Sequence, residues 1–342
     1  MLELGAFENF GFEILGVRFQ LIYLVAIFSL KLFKYDKKEL ILISLLFFHC
    51  LSVGDLKSIG ALILIIFWIK LFSIFKVKNN FKFIWIIYLL AVFELISRQY
   101  IASPIYSFRN FLTEPYDNRL TLTFSEPSFA GIYLAVLAII MLKINKKTHF
   151  YILVILVFLT KSIGGIVLVI FSLFILTKKS RVYAVFLLIP LIIILKERVL
   201  IEIGGLGNLN AYTSIASRLN TWFIFIEYIL SNGYNSLIGL GLGNLDQYLI
   251  DKYWFLKTEF SVGNFANGFL AIIMNFGLFC IPFFILLKKY SKSNVVFILM
   301  LFTLQLNGGL LSYITWLPLV LGNLIYSKNE LSVKQQKGIS NN

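Results

Sequence analysis

Arg218 is the residue whose type and position most clearly suit chemistry, because it stands at the start of a predicted amphipathic helix. Ser217 suits the N-cap of this helix and Gly233 suits its stop. The N-terminal end of a helix carries unpaired N–H groups and partial positive charge, so an anion would be favoured beside Arg218. The alternative is a loop helix whose arginine is only solvated. The i, i+3, i+4, i+7 spacing places the apolar residues on one face, which is expected to lie against a membrane: Leu219, Trp222, Phe223, Ile226, Ile229 and Leu230.

The composition predicts a membrane protein with many spans. Of the 342 residues, 59% are hydrophobic and only 14% are charged, and the mean hydropathy is +0.86. A soluble domain of this length could not bury that much apolar surface. Cys50 and Cys280 both lie in hydrophobic runs, so neither a disulfide framework nor a Cys-x-x-Cys metal pattern is expected.

Eleven apolar runs approach the length needed to cross a hydrocarbon core of roughly 30 Å. They lie at 15–33, 40–54, 58–76, 82–98, 127–143, 149–162, 163–177, 182–196, 266–287, 294–307 and 309–327. At 149–177 the alternative is one long kinked helix. The predicted fold is all-α, a polytopic membrane protein of about eleven transmembrane helices in one membrane domain over 1–342. Residues 99–125 and 197–265 form its extracytoplasmic loops, and residues 328–342 form a cytoplasmic tail.

The lysines predict the orientation of these spans. With the N-terminus outside, the inner loops and the tail carry 19 of the 31 basic residues, and nearly all of these are lysine. Cytoplasmic loops carry an excess of Lys and Arg, so the N-terminus is predicted outside and the C-terminus in the cytoplasm. The net charge of +14 then reports topology, and no nucleic-acid partner is needed to explain it.

Arginine is distributed differently from lysine. Five of the seven arginines fall in outer segments, including Arg109, Arg119 and Arg218. Lysine suffices as an orientation charge, whereas the planar fork of arginine suits paired contacts with phosphate or carboxylate oxygens. The alternative explanation is chance in a small sample.

Polar and ionisable residues within the spans are costly and often functional. Glu94 and Arg98 stand four residues apart near the outer end of their span, so they are expected to form an ion pair. Lys70 lies near the inner face and is expected to snorkel towards water. His49 is expected to be a packed, hydrogen-bonded histidine. No cluster with metal-ligand spacing occurs in the sequence, so no metal or other cofactor is predicted.

A carboxylate stands at the outer mouth of the fifth span. Pro127 suits the first turn of a helix, and Glu126 lies where the helix dipole favours an acid, which is a structural role. A functional role competes with it, because the preceding loop holds Arg109, Arg119 and several aromatic residues. Aromatic and charged side chains together suit sugar rings, although aromatic belts at membrane interfaces explain the pattern equally well.

Four segments of the chain resemble, in order, motifs of the O-antigen polymerase (Wzy) family, within the O-antigen ligase and polymerase superfamily. The first two are Glu126-Pro127-Ser128-Phe129-Ala130-Gly131 and Thr160-Lys161-Ser162-Ile163-Gly164-Gly165. The third is Arg218 and Trp222 followed by Ile238-Gly239-Leu240-Gly241-Leu242-Gly243-Asn244, and the fourth is Asn267-Gly268-Phe269-Leu270 with Asn275-Phe276-Gly277. Their order and spacing match the family over about residues 94–290. Related O-antigen ligases often carry histidine where this chain has Ala266, so the general base that such a histidine would supply is absent.

The resemblance implies a polymerase of bacterial surface polysaccharide (O-antigen, capsule or exopolysaccharide) in the inner (plasma) membrane, with a glycosyltransferase-C-like fold. It would transfer a glycan en bloc from undecaprenyl pyrophosphate to the terminal sugar hydroxyl of a lipid-linked repeat unit. The implied partners are this undecaprenyl-pyrophosphate-linked oligosaccharide, membrane lipid, a chain-length regulator and a flippase. An O-antigen ligase, a transporter or flippase of lipid-linked sugars, and a scaffolding subunit are the alternatives.

Within this resemblance the charged residues receive specific roles. Arg218, with Arg109 and Arg119 behind it, would stabilise the charge that develops on the leaving pyrophosphate. Glu126 is the first candidate to orient or deprotonate the acceptor hydroxyl, and Asp246 is the second.

The glycine-rich turn of the large outer loop is expected to act through its backbone. Gly239, Gly241 and Gly243 would supply conformational freedom or a close approach of main chains. Glycine-rich turns are common, so this repeat is not by itself a phosphate-binding loop.

Overall fold

The fold is that of a computed structural model. The residues it describes are 11–14, 17–20, 26, 33–53, 56–75, 83–100, 120, 122, 127–176, 214–242, 244–252, 267–306 and 309–324. The chain divides into two compact units. The central unit comprises Met1–Gly5 and Lys76–Val199, and the terminal unit comprises Ala6–Phe75 and Leu200–Asn342.

Helices form nearly all of the described structure, after one β-hairpin of β1 (Gly11–Ile14) and β2 (Val17–Gln20). The terminal unit begins with α1 (Lys37–Ser52) and α2 (Leu56–Ile74). The central unit contains α3 (Phe83–Tyr100), α4 (Pro127–Lys143), α5 (Lys147–Leu159) and α6 (Ile163–Leu176). The terminal unit continues with α7 (Ser214–Asn232), α8 (Asn235–Ile238), α9 (Leu245–Lys252), α10 (Gly268–Phe276), α11 (Cys280–Ser291), α12 (Asn294–Leu306) and α13 (Tyr313–Trp316). Short 3-10 segments, Gly277–Phe279 and Leu317–Leu319, follow α10 and α13.

Helices lie at most of the predicted spans, and α4 coincides with the span predicted at 127–143. The run at 149–177 is two helices, α5 and α6, because Lys161 adopts a left-handed backbone (φ +49°) that ends the first. The helix predicted over 15–33 is wrong at residues 17–20, which form β2. Residues 17–20 alternate apolar and polar side chains, the period of a strand. The span predicted at 182–196 lies outside the described residues.

The described helices are compatible with a helical membrane protein. By length and composition, the 24-residue stretch Gly268–Ser291 is the one described helix long and apolar enough to cross a membrane. Shorter apolar helices of 10–17 residues also occur, at Ser58–Ile74, Ile84–Ile96, Ser128–Lys143, Lys147–Leu159, Ile163–Phe174, Asn294–Leu306 and Tyr313–Leu324.

Helix α4 is the core of the central unit. It packs against both α5 and α6 and is buried on all sides over most of its length. Small residues such as Ala130, Ala135 and Ala138 let its neighbours approach closely, and large ones such as Tyr133 fill the remaining space. A helix that is apolar all round is expected at such a position.

Two buried tryptophans hold the core of the terminal unit together. Trp68 on α2 donates from Nε1 to the carbonyl of Leu311 at 3.1 Å, and Trp316 on α13 donates to the carbonyl of Leu310 at 2.8 Å. Both indoles are fully buried, so these hydrogen bonds satisfy N–H groups that would otherwise be stranded in an apolar environment. Helices α2 and α13 are thereby linked through the chain segment that precedes α13.

A charge cluster, buried at Glu39 and Lys70 and exposed at Asp36 and Lys289, joins α1, α2 and α11 within the terminal unit. Lys70 is only 6% exposed, and its Nζ lies 3.1 Å from Glu39 Oε2. Lys289 lies 3.2 Å from Glu39 Oε1 and also pairs with Asp36, the N-cap of α1. The hydrogen bond from Lys289, followed by one from the backbone of Glu39, lowers the pKa of Asp36. The expectation that Lys70 snorkels to water is therefore wrong, because Glu39 supplies a partner inside the protein.

Candidate functional site

The amphipathic helix of the outer loop forms, but it begins earlier than the sequence suggested. Helix α7 starts at Ser214, so Ser217 lies inside it and is not its N-cap. Arg218 is the fifth residue of the helix, where the backbone N–H is already used by the i to i−4 ladder. Any anion bound by Arg218 must therefore contact its side chain. The helix ends before Gly233, whose φ of +49° stops it as predicted.

The two faces of α7 differ sharply in burial. Thr221, Ile224 and Tyr228 are buried within the terminal unit. Burial, and secondly the nearby Tyr248, raises the pKa of Tyr228 to about 12, so this phenol stays neutral near pH 7 and is no candidate base. The opposite face exposes large apolar side chains, with Phe223 70% and Leu230 80% exposed; the others are Trp222, Ile226 and Ile229. This is the apolar stripe expected to face a membrane.

Polar and aromatic contacts tie α9 to α7. Lys252 Nζ lies 3.2 Å from Glu227 Oε1 and donates to Ser231 Oγ at 2.9 Å. The rings of Tyr228 and Tyr248 meet edge to face at 5.5 Å. The helix that carries Asp246 is thus fixed against the helix that carries Arg218.

The glycine turn (238–244, described except for Gly243) pairs with a break in the long helix Gly268–Ser291. Leu240 N donates to the carbonyl of Met274 and Gly241 N donates to that of Asn275, both at 2.8 Å. Helix α10 ends at Phe276, and Gly277, the first residue of the following 3-10 segment, takes a positive φ of +52°. The turn therefore supplies donors to carbonyls that an uninterrupted helix would satisfy by itself.

The approach of the two main chains is close enough to require glycine. Gly239 has φ +89°, and a Cβ atom built on it would lie 2.5 Å from Gly277 N and 2.6 Å from the Asn275 carbonyl oxygen. Gly241 has φ +86°, and its Cβ would lie 2.5 Å from Val53 Cγ1. L-residues rarely adopt such φ values, so strain and steric overlap act together at both positions.

Four N–H groups of this turn, those of Gly239, Leu240, Gly241 and Asn244, are already in use. Gly239 N donates to the carbonyl of Asn235 at 3.2 Å, and Asn244 N donates to that of Gly241 at 3.2 Å. With Leu240 N and Gly241 N bonded to the broken helix, the turn does not present these groups to a phosphate. The two described glycines, Gly239 and Gly241, therefore serve the close approach of main chains.

In the central unit, the first two resemblance segments meet each other. A Cβ atom built on Gly131 would collide with the side chain of Ser162 and lie 3.0 Å from Thr160 Oγ1. One on Gly165 would lie 2.6 Å from the Gly131 carbonyl oxygen. Ser162 caps α6 by accepting from Gly165 N at 3.2 Å, and Thr160 Oγ1 accepts from Ser162 N at 3.1 Å. The start of α4 is therefore packed directly on the turn between α5 and α6.

Glu94 binds the backbone of the chain segment that precedes α4, a role that the sequence analysis did not predict. Its side chain is 1% exposed, and Oε2 accepts from Leu122 N at 2.6 Å. Leu120 N donates to the carbonyl of Leu159 at 2.9 Å. The carboxylate in an apolar span was a visible signal, but its backbone partner was not. The ion pair expected with Arg98 stays a prediction, because the side chain of Arg98 lies outside the described residues.

The structure describes only some of the predicted site residues. Gly239 and Gly241 meet the broken helix as above. Arg218 and Asp246 lie in α7 and α9, but their side chains lie outside the described part. The remaining ones lie wholly outside the described residues: Glu126, Arg109, Arg119 and Gly243. Among the described residues, no group of three or more His, Cys, Asp or Glu side chains is arranged to hold a metal ion.

Comparisons with known proteins add no relative. No protein-family model, curated protein or solved structure matches the chain. The resemblance to the O-antigen polymerases therefore stands on the four sequence segments alone.

Proposed function

We propose that this chain is a polymerase of bacterial surface polysaccharide. It joins a glycan carried on undecaprenyl pyrophosphate to the terminal sugar hydroxyl of a lipid-linked repeat unit, and it releases undecaprenyl pyrophosphate. The fold proposed for it is the eleven-span, glycosyltransferase-C-like arrangement in the inner membrane, with the N-terminus outside and the C-terminus in the cytoplasm.

The observation that carries this proposal is that the four resemblance segments meet in pairs. The segment ending at Gly131 packs on the Thr160–Gly165 turn. The glycine turn packs on the Asn275–Gly277 break. Segments that belong to one active-site architecture are expected to adjoin in space, and these two contacts agree with that expectation.

The contacts between helix ends also favour the proposed topology. In the terminal unit, Asp36 pairs with Lys289, and both belong to loops assigned to the inner side. In the central unit, Tyr88 OH and His149 Nδ1 are 2.9 Å apart at predicted inner ends, and Leu120 meets Leu159 at predicted outer ends. Each contact joins segments that the lysine distribution assigns to the same side.

The proposed chemistry needs a phosphate clamp and a base. Arg218, Arg109 and Arg119 bind the pyrophosphate and stabilise the charge that develops as it leaves. Glu126 orients or deprotonates the acceptor hydroxyl, with Asp246 as the second candidate. The glycines of the outer turn fix the backbone that leads into Asp246.

A transporter of lipid-linked sugars is the second candidate, and the break at Gly277 favours it. Interrupted helices form the substrate and ion sites of many transporters. In those sites unwound carbonyls coordinate the cargo, whereas here the carbonyls of Met274 and Asn275 accept from the glycine turn. The break thus has a local structural explanation, which leaves the polymerase as the preferred function.

Reconstitution separates the candidates. The purified chain in liposomes is supplied with undecaprenyl-pyrophosphate-linked repeat units, and the lipid-linked glycans are separated by length. A polymerase produces a ladder and releases one undecaprenyl pyrophosphate per bond formed. A ligase elongates nothing until lipid A core is supplied. Transport of repeat units across the bilayer without a ladder would contradict the proposal.

A further inference from the structure

Two side chains from the first helices of the terminal unit reach the glycine turn. His49 on α1 is fully buried, and its Nε2 lies 2.8 Å from the carbonyl oxygen of Ile238, 189 residues away. Because a carbonyl only accepts hydrogen bonds, Nε2 must carry the hydrogen and donate it. Ser58 on α2 is also buried, and its hydroxyl donates to the carbonyl of Leu242.

These two contacts complete the hydrogen bonding of alternate carbonyls along the turn. Asn244 Nδ2 donates to the carbonyl of Leu240 at 2.9 Å, between the two carbonyls held by His49 and Ser58. The N–H groups of Leu240 and Gly241 are held by the broken helix on the other side. The turn is therefore clamped from α1, α2 and α10 together, and leaving a carbonyl unpaired is costly where it is buried, as at Leu242.

The clamp extends directly to the helix that carries Asp246. Asn244 N bonds back to Gly241, and Tyr248 N donates to the carbonyl of Asn244 at 2.9 Å in the first turn of α9. Asp246 is the second residue of α9. Asp246 follows the hydrogen-bonded Asn244 by two residues, so displacement of the turn would displace the backbone of Asp246.

We propose that His49 and Ser58 are positioning residues, which hold the glycine turn and through it the start of α9 in the geometry that the reaction needs. The functional half of this inference rests on the polymerase proposed above, whereas the positional half does not. The imidazole ring also packs against Phe276 and Phe279, with centroids 5.5 and 4.9 Å away. Substitutions at His49 must therefore distinguish the loss of the hydrogen bond from the loss of the ring packing.

Two substitutions make that separation. His49→Phe keeps an aromatic ring between the phenylalanines and removes the donor. His49→Gln loses the ring but places an amide N–H about where Nε2 stands. Ser58→Ala removes the second anchor independently. Each is combined with Leu242→Cys, a probe at a position that is 3% exposed, in a chain whose Cys50 and Cys280 are replaced by alanine. Gln247→Cys on the exposed surface of α9 is the matched labelling control.

The readouts are the rate of maleimide labelling and the length distribution of polymer. We expect His49→Phe and Ser58→Ala to speed labelling at residue 242 about tenfold, as loss of a buried hydrogen bond shifts a local opening equilibrium. Labelling at residue 247 stays unchanged, polymer becomes shorter and scarcer, and His49→Gln restores both readouts.

Unchanged labelling at residue 242 in His49→Phe would overturn the proposal. So would faster labelling with a normal polymer ladder. If the wild-type chain makes no polymer, the proposed function fails, and labelling alone decides whether His49 and Ser58 hold the turn.

Discussion

Glu39 accepts from Lys70 at 3.1 Å and faces Lys289 at 3.2 Å, so one buried carboxylate serves two lysines from different helices. The arrangement is asymmetric. Lys289 has a second acidic partner in Asp36, whereas the other groups near Lys70 are the tyrosines Tyr35 and Tyr290, whose rings lie 4.6 and 4.8 Å from its ammonium. Glu39 is therefore the central residue of the cluster, and the two lysines are not equivalent.

We expect Glu39→Leu to destabilise the protein more than Lys70→Met. The first leaves Lys70 charged and buried without a carboxylate, a change that typically costs about 3–5 kcal/mol. The second leaves Glu39 paired with Lys289, so its cost should be clearly smaller. The measurement is the thermal unfolding midpoint in detergent, by fluorescence or circular dichroism.

The double variant Glu39→Leu with Lys70→Met provides the control for this pair. Removing both charges leaves no stranded ion at residue 70, so the midpoint should recover part of the loss seen with Glu39→Leu alone. Equal midpoints for the two single variants would show that the cluster is not organised around Glu39.

The carboxylate of Glu94 should act through its oxygen as an acceptor for Leu122 N. Glu94→Gln keeps an oxygen at the same reach, whereas Glu94→Leu removes this acceptor from a buried N–H, at a cost of about 1–3 kcal/mol. We expect Glu94→Gln to stay near the wild-type unfolding midpoint and Glu94→Leu to fall below it. Polymer yield should follow the same order, because Leu122 lies just before Glu126 in the chain. Ile96→Val, on the exposed face of the same helix, is the control. If Gln proves as damaging as Leu, the charge of Glu94 is what matters.

The glycines of the outer loop should differ in how well they tolerate substitution, according to the atoms that surround each one. Gly241→Val meets Val53 and a positive φ, so we expect polymer to be lost while the protein still inserts in the membrane. Gly239→Ala meets main chain at 2.5 Å and should be at least as harmful. Gly233→Ala has nothing within 4 Å and bears only the strain of its φ, roughly 1 kcal/mol. Polymer ladders are compared at matched membrane levels. A normal ladder from Gly241→Val would mean that the close approach is dispensable.

Local patterns in the sequence predicted the helices better than they predicted the partners of buried polar groups. Helix α4 begins at Pro127 and ends at Lys143 because an apolar run stands between a residue that favours a first turn and a charge. The hairpin was missed because an average over a long hydrophobic window hides a four-residue alternation. Helix α7 was placed four residues late, with Arg218 instead of Ser214 as its first residue, because Thr213 and Ser217 are both residue types that suit an N-cap.

The contacts of His49 and Lys70 show why the candidate site itself was harder to predict. A hydrogen-bonded role for His49 followed from the cost of a bare imidazole in a span, and this is confirmed. Its partner, the carbonyl of Ile238, has no side-chain signature that a sequence could reveal. Lys70 pairs with a residue 31 positions away, on another helix, so local spacing pointed to water instead. Backbone acceptors and partners on other elements become visible only when the chain is folded.

Cysteine accessibility in intact cells tests the proposed orientation. We expect Asn208→Cys to react with a membrane-impermeant maleimide, because the lysine distribution assigns residues 197–265 to the outside. Asn145→Cys, in the turn between α4 and α5, should react only after the membrane is permeabilised. Labelling of residue 145 from outside would reverse the orientation and with it the placement of the site.

Arg218 carries the most specific prediction about phosphate binding. Its backbone N–H belongs to the interior of α7, so the guanidinium must make any contact with the pyrophosphate. A charge-assisted contact of ~1.5–3 kcal/mol that tightens only in the transition state corresponds to roughly a 10- to 150-fold change in rate. We therefore expect Arg218→Ala to be the more severe change. Arg218→Lys should also be impaired, because an ammonium lacks the planar fork that binds two oxygens at once.

Lys252 supplies a matched control for charge. It is an outer cation on the neighbouring helix, and it is engaged with Glu227 at 3.2 Å, so Lys252→Met removes one positive charge without removing a guanidinium. The polymer ladder is measured in cells that lack their own polymerase, with all variants at wild-type membrane levels. If Lys252→Met and Arg218→Ala shorten the ladder equally, the effect is not specific to the guanidinium, because Lys252→Met removes a charge and the contact of α9 with Glu227. A full ladder from Arg218→Ala would exclude Arg218 from the site and leave Arg109 and Arg119 as the phosphate-binding candidates, since theirs are the remaining outer guanidinium groups in the first large loop.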